Sequence, residues 1–150
     1  MSQSLVKMYT HIVFSTKKRQ PFIKPEVEKE LYAYIGGVIK QNGGILFMIN
    51  TMPDHIHILS TLPKNISLSK FLEEIKRNSS RWIKTKGKSY ANFAWQGGYF
   101  ASSVSSSSLQ VVKNYIANQK EHHKKANFKK ELVGFLKEYE TDYDERYLWD

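Results

Sequence analysis

Two apolar runs, residues 45–51 (ILFMINT) and 55–62 (HIHILSTL), are separated only by Met52, Pro53 and Asp54. A joint that short leaves no room for a crossover, so the runs predict an antiparallel hairpin. Every other element has to be arranged around that pair. Upstream, residues 5–16 alternate, with Thr10, Ile12 and Phe14 on one side and Tyr9, His11 and Val13 on the other, which predicts a half-buried strand. Lys17, Lys18 and Arg19 end it in a basic turn. Pro25 suits a first helical turn, Glu26 and Glu28 suit the positive end of the helix dipole, and Leu31, Ile35 and Ile39 recur at helical spacing. This helix is expected to stop near Asn42, Gly43 and Gly44.

Downstream of the hairpin, Ser67 caps a helix whose inward side is Leu68, Phe71, Leu72, Ile75 and Trp82. Its outer face carries Lys70, Lys76, Arg77, Arg81 and Lys84. A strand follows near 96–104, where Gly97 and Gly98 suggest a bulge or the close approach of another backbone. Beyond the serine-rich stretch 102–108, residues 108–126 predict a helix with Leu109, Val112 and Ile116 as its buried stripe, and a short helix covers 128–139. The order strand, helix, strand, strand, helix, strand is that of a ferredoxin-like α+β sandwich, an antiparallel sheet with helices on one face and an extra C-terminal helix. The chain reads as one domain over 1–150. That fold hosts enzymes and passive binders alike, so function has to be read from the site.

The net charge of +9 is uneven. Residues 1–130 hold 21 basic and 7 acidic side chains, whereas residues 131–150, an acidic tail, hold 2 and 7. A basic body suits a polyanion such as nucleic acid, because binding releases condensed counterions, and it equally suits a soluble basic protein with no such partner. Without cysteine, thiolate metal sites are excluded and any ion must be held by nitrogen and oxygen. The opening MSQSLVKMYT lacks the apolar stretch of a signal peptide, and no run approaches the ~18 apolar residues of a membrane span, so a cytoplasmic protein is expected. Gly87, Lys88 and Ser89 resemble the end of a phosphate-binding loop, but Trp82 stands where its first glycine is required.

Two segments carry candidate chemistry. In a strand, His55 and His57 share a face while Ile56 and Ile58 point to the core. They form either a two-nitrogen clamp for a divalent ion or a pair of solvent-facing histidines. On the later helix, Tyr115 and Gln119 share a face, with His122 and His123 one turn on. A phenol of pKa near ~10 is a poor nucleophile at neutral pH and would need a metal or a base near the reacting phosphate. Gln119 offers an amide oxygen as a third ligand. Tyr115 reads otherwise as a packing residue.

Taken together, the strand and turn THIVFSTKKRQPF, the Pro53-Asp54-His55-Ile56-His57 core, the basic helix with IKRNSSRWIK, the WQGGYF strand and the YIANQKEHH helix resemble the single-tyrosine HUH transposases of the insertion sequence 200/605 type. The resemblance covers nearly the whole chain. It implies a DNA transposase with Tyr115 as nucleophile and Mg²⁺ or Mn²⁺ on His55, His57 and Gln119, which cuts and rejoins single-stranded DNA through a 5′-phosphotyrosine. It further implies recognition of hairpins at element ends, and a homodimer in which the tyrosine helix of one subunit can serve the histidines of the other. Lys17, Lys18, Arg19, Lys76, Arg77 and Arg81 are the expected contacts to DNA. A prokaryotic protein found with the nucleoid when bound is expected on the same ground. Three alternatives remain: a domesticated relative acting on chromosomal hairpin repeats, a nuclease that uses water and spares Tyr115, and a passive RNA-binding sandwich. GGYFASSV matches the aromatic strand motif of that last class poorly.

Overall fold

The computed structural model describes residues 2–122, 127–138 and 142–143. Its frame is a four-stranded antiparallel sheet of β1 (Tyr9–Ser15), β2 (Leu46–Met52), β3 (His55–Thr61) and β4 (Phe100–Ser103), in the order β2-β3-β1-β4. Helix α1 (Pro25–Gln41) joins β1 to β2, and α2 (Leu68–Ile83) joins β3 to β4. This is the expected ferredoxin-like arrangement, with β3 and β1 at its centre.

Local chemistry sets the helix ends. Pro25 opens α1. At its other end Asn42 Nδ2 donates to the Val38 carbonyl at 2.9 Å, and Gly43 takes a φ of 90° that a side chain would resist. Ser67 caps α2 by accepting the Lys70 amide at 3.1 Å. Both helices pack on one face of the sheet, where Leu31, Ile35 and Ile39 of α1 and Phe71, Leu72 and Ile75 of α2 meet Ile12, Phe14, Ile56 and Ile58. Each such side chain withdrawn from water stabilises the fold by roughly 1.5–3 kcal/mol before entropy is counted.

The opposite face is covered by the C-terminal helices α3 (Leu109–Ala117), α4 (Gln119–His122) and α5 (Phe128–Glu138). Ile116 of α3 packs with Leu59 and Val104, while Phe128, Leu132 and Leu136 of α5 pack with Val13 and Phe100. The start of the acidic segment is therefore a docked helix, held by its apolar stripe.

Four expectations change. Residues 2–8 are outside β1, and Leu5 is 83% exposed, because alternation there has no partner strand to bury it. The strand near 96–104 shortens to Phe100–Ser103, with Gly97 and Gly98 in the loop before it. Trp82 lies at the rim of the core, stacked on Tyr34 at 5.1 Å between ring centres. The helix expected over 108–126 breaks at Asn118, where Asn50 Nδ2 donates to the Ile116 carbonyl at 2.8 Å and reaches the Ala117 carbonyl at 3.4 Å. Residues 123–126, including His123, lie outside the described residues.

Candidate active site

The site is built on the centre of the sheet. In β3, His55 faces Ser15 of β1 and His57 faces Val13, with Met52 and Asn50 of β2 on the other side. Strand alternation sends both imidazoles to the face away from α1 and α2, as expected. The solvent-facing alternative is overturned, because α5 lies over this face and both histidines are 0% exposed. Phe128 of α5 stacks on His55 at 4.5 Å between ring centres.

Each imidazole is held through Nδ1. His55 Nδ1 lies 2.7 Å from Asp54 Oδ1 in the β2–β3 turn, and His57 Nδ1 lies 2.9 Å from His11 Nε2 on β1. Both Nε2 atoms consequently approach one point, which the carboxylate of Glu131 fills. Glu131 Oε1 is 2.7 Å from His57 Nε2 and 3.6 Å from His55 Nε2. Its other oxygen, Oε2, accepts from the Tyr115 hydroxyl at 2.5 Å and lies 3.4 Å from His122 Nε2. His55, His57 and Glu131 form a group able to hold a metal, with ligand atoms within 4.8 Å of one another.

Tyr115 reaches this point from α3, its ring centre 5.8 Å from that of His57 within the same chain. Burial, together with the hydrogen bond to Glu131 and that group's negative charge, raises the phenol above its ordinary value, and the Gln119 side chain opposes them. The hydroxyl is therefore protonated at neutral pH. His11 is pushed down to about 3, first by burial and then by its neighbour His57, with Glu131 opposing, so it is a neutral ring.

Gln119 is fully buried at the start of α4. Its Nε2 is a long 3.5 Å from the Tyr115 carbonyl, and its Oε1 has no hydrogen-bond partner among the described residues. A buried amide oxygen left unpaired costs about 1–3 kcal/mol, which an oxygen-seeking cation would recover. Nitrogen and oxygen donors without thiolate suit the divalent ions expected from the sequence. The residues present fit such an ion.

The expected DNA contacts divide. Lys17 and Lys18 are exposed in the turn after β1, where Lys18 and Arg19 adopt φ values of 56° and 55°. Left-handed backbone at two successive non-glycine residues is strained, and the turn is kept in place by Thr16, whose amide donates to the Asp54 carbonyl at 2.9 Å. Arg81 is exposed. Arg77 is exposed but shares its charge with Glu73 and Glu74 on its own helix. Lys76 is half-buried, with its charge turned onto the neighbouring loop. Its Nζ donates to the carbonyls of Gln96 and Gly98 at 3.0 and 2.6 Å, and burial pulls its pKa down to about 8.

Sequence reasoning missed His11 and Glu131 as parts of the site. The alternation of β1 placed His11 on the side opposite Ile12, and pairing with β3 would have put it beside the histidine clamp. Glu131 carries no such signal, being one acid in an acidic segment.

Residues 4–119 match the family model described as "Transposase IS200 like". Among curated proteins, the ISDra2 transposase TnpA of Deinococcus radiodurans is 25% identical over 114 residues, covering 73% of this chain and 81% of the relative. Among solved structures, a transposase candidate from Deinococcus radiodurans R1 superposes with a TM-score of 0.61 at 24% identity, over 79% of this chain and 98% of that one. A REP-associated tyrosine transposase bound to a REP hairpin gives a TM-score of 0.60 at 18% identity, over 82% of this chain and 74% of that one. At these identities the two structures speak to the fold.

Proposed function

The chain belongs to the IS200-like transposases, and we propose that it cleaves and rejoins single-stranded DNA at hairpin-bearing element ends, with Tyr115 as nucleophile. The observation that carries this reading is the convergence of the Tyr115 hydroxyl and the His57 Nε2 atom on one carboxylate, at 2.5 and 2.7 Å. A phosphate is likewise an anion with several oxygens. Set in the same place, it would meet the phenol and the histidine pair together.

His55, His57 and the unpaired oxygen of Gln119 would hold a Mg²⁺ or Mn²⁺ ion, with Glu131 as a further ligand while α5 is docked. Bound there, the ion would polarise the scissile phosphate and neutralise charge on the departing oxygen. The chain's own residues supply position and shielding. Tyr115 is aimed at the clamp by α3, and its bond to phosphorus would form as the bond from phosphorus to the 3′ oxygen breaks, the phenol proton being lost to water and the departing oxygen taking one up, leaving a 5′-phosphotyrosine and a free 3′ hydroxyl. The bond energy is kept in that linkage, so a second 3′ hydroxyl can reverse the step without a nucleotide cofactor. With α5 in place both histidines are shut from solvent, so DNA entry requires α5 to leave the face it covers.

Lys17, Lys18, Arg77 and Arg81, which are exposed, and Arg19, which is half-buried, are the cations that would contact the DNA backbone. The hairpin bound by the REP-associated neighbour supports a folded DNA end as partner. Tyr115 and His57 meet within one chain, so a homodimer that shares sites would have to exchange the tyrosine helix between subunits.

The test is incubation with labelled single-stranded oligonucleotides ending in imperfect hairpins, with and without Mg²⁺ or Mn²⁺. Cleavage that needs the metal and is lost in His57→Ala is expected. Wild-type protein that leaves every such strand intact in both metals would count against the reading.

A further inference from the structure

His11 lies outside the triad of candidate ligands, yet it makes the hydrogen bond that decides what His57 can offer a cation. A neutral imidazole has one N–H and one lone pair, and only the lone pair can bind a metal. For His55 the choice is made by Asp54, because an ionised carboxylate only accepts. At 2.7 Å from Asp54 Oδ1, Nδ1 carries the proton and Nε2 the lone pair.

His57 is placed differently. A carboxylate, Glu131 Oε1, lies 2.7 Å from its Nε2, and an imidazole, His11 Nε2, lies 2.9 Å from its Nδ1. While Glu131 is there, the His57 proton belongs on Nε2, so Nδ1 accepts and His11 Nε2 must donate. With a cation at Nε2 the proton belongs on Nδ1, and His11 Nε2 must accept. A lysine in place of His11 could serve only the first state and an aspartate only the second. A neutral histidine serves both by changing its own tautomer.

The surroundings make this partner hard to replace. His11 is 3% exposed, and its ring is enclosed by Phe135, Tyr115 and Phe100 at 5.5, 6.4 and 6.5 Å between centres. Its plane lies only 26° from that of His57, which suits an in-plane bond between ring nitrogens. Both residues sit on paired central strands, so the contact is held by the sheet and not by a loop.

We infer that His11 is a positioning residue that keeps His57 hydrogen-bonded in two tautomers, one capped by the Glu131 carboxylate and one presenting Nε2 to a divalent ion. This rests on the metal reading given above. In passing between the states the His57 Nε2 proton leaves to water as the carboxylate withdraws. The His11 Nε2 proton crosses to His57 Nδ1, and His11 takes one up at its own Nδ1, so the number of protons on the two rings is unchanged.

The test is direct Mn²⁺ binding without DNA, followed by the electron paramagnetic resonance of the free ion, for wild type, His11→Phe, His11→Gln and His57→Ala. Phenylalanine fills the space without a hydrogen-bonding atom, and a weakening of about 10–100-fold is expected. Glutamine offers both a donor and an acceptor, and should bind within about threefold of wild type. Equal binding by wild type and His11→Phe, with binding still lost in His57→Ala, overturns the role of His11 and leaves the metal reading standing. Wild-type protein that takes up no Mn²⁺, or takes it up independently of His57, overturns both. Should His11→Phe fail to fold, ring ¹⁵N resonances of the wild type decide. Mg²⁺ should move the His57 proton from Nε2 to Nδ1 with His11 changing in step, and unchanged tautomers under saturating Mg²⁺ would refute the inference.

Discussion

The Tyr115 hydroxyl donates to Glu131 Oε2 at 2.5 Å, across the face that carries the histidine pair. This contact fixes the phenol toward the clamp and keeps it protonated, while the other oxygen of the same carboxylate engages His57. The Tyr115 hydroxyl and the histidine pair are thus joined by one side chain from α5, a helix held mainly by Phe128, Leu132 and Leu136.

Gln119 should show opposite effects with and without metal. Its Oε1 is buried and has no partner among the described residues, so Gln119→Met removes an unpaired acceptor and keeps most of the volume. The metal-free variant is expected to melt at or slightly above the wild-type temperature. Saturating Mn²⁺ should raise the wild-type midpoint and raise that of the variant much less, because only binding to the folded form stabilises. Equal shifts in calorimetry would remove Gln119 from the ligand set.

Glu28 fastens α4 to the body. Its Oε2 accepts from Tyr32 at 2.6 Å, Lys120 at 2.8 Å and Thr51 at 2.9 Å. Burial pushes its pKa up, but the hydrogen bonds and the charge of Lys120 outweigh it, and the net shift is downward from 4.5. A carboxylate with a lowered folded pKa contributes stability above its unfolded value and loses it as pH falls through the folded one. Glu28→Gln should therefore cost about 1 kcal/mol at pH 7, modest because Lys120 is largely in water. The gap should close as pH drops below 4.5 in paired urea titrations.

Lys76 and Arg81 were equivalent cations in the sequence and are not equivalent in the fold. Lys76→Met should destabilise the fold by about 1–3 kcal/mol, through loss of the two carbonyl contacts near Gly98, and lower the melting midpoint accordingly. Arg81→Ala should leave the midpoint unchanged and reduce the slope of log affinity against log salt by about 0.7 for single-stranded DNA. Fluorescence anisotropy at several salt concentrations separates the two.

The sheet, α1, α2 and the shared face of the two histidines were legible because each is written in local periodicity. His55 and His57 alternate with Ile56 and Ile58, and Ser67 opens α2 where a cap belongs. What could not be read depends on distant partners. The break at Asn118 comes with Asn50, 68 positions earlier, bonding carbonyls at the end of α3. The burial of both histidines comes from α5, whose stripe reads as a helix but does not name the face it covers. The turning of Lys76 onto carbonyls follows from the path of the 96–98 loop.

In the proposed reaction the Tyr115 oxygen becomes the covalent carrier of DNA. Wild-type protein should be mixed with a cleavable single strand labelled on the 3′ side of the cut in Mn²⁺, denatured, digested and sequenced by mass spectrometry. A nucleotide adduct is expected on the peptide containing Tyr115, absent from Tyr115→Phe, which still binds the hairpin. Cutting by Tyr115→Phe at the wild-type rate, or an adduct on another residue, would overturn the role of Tyr115.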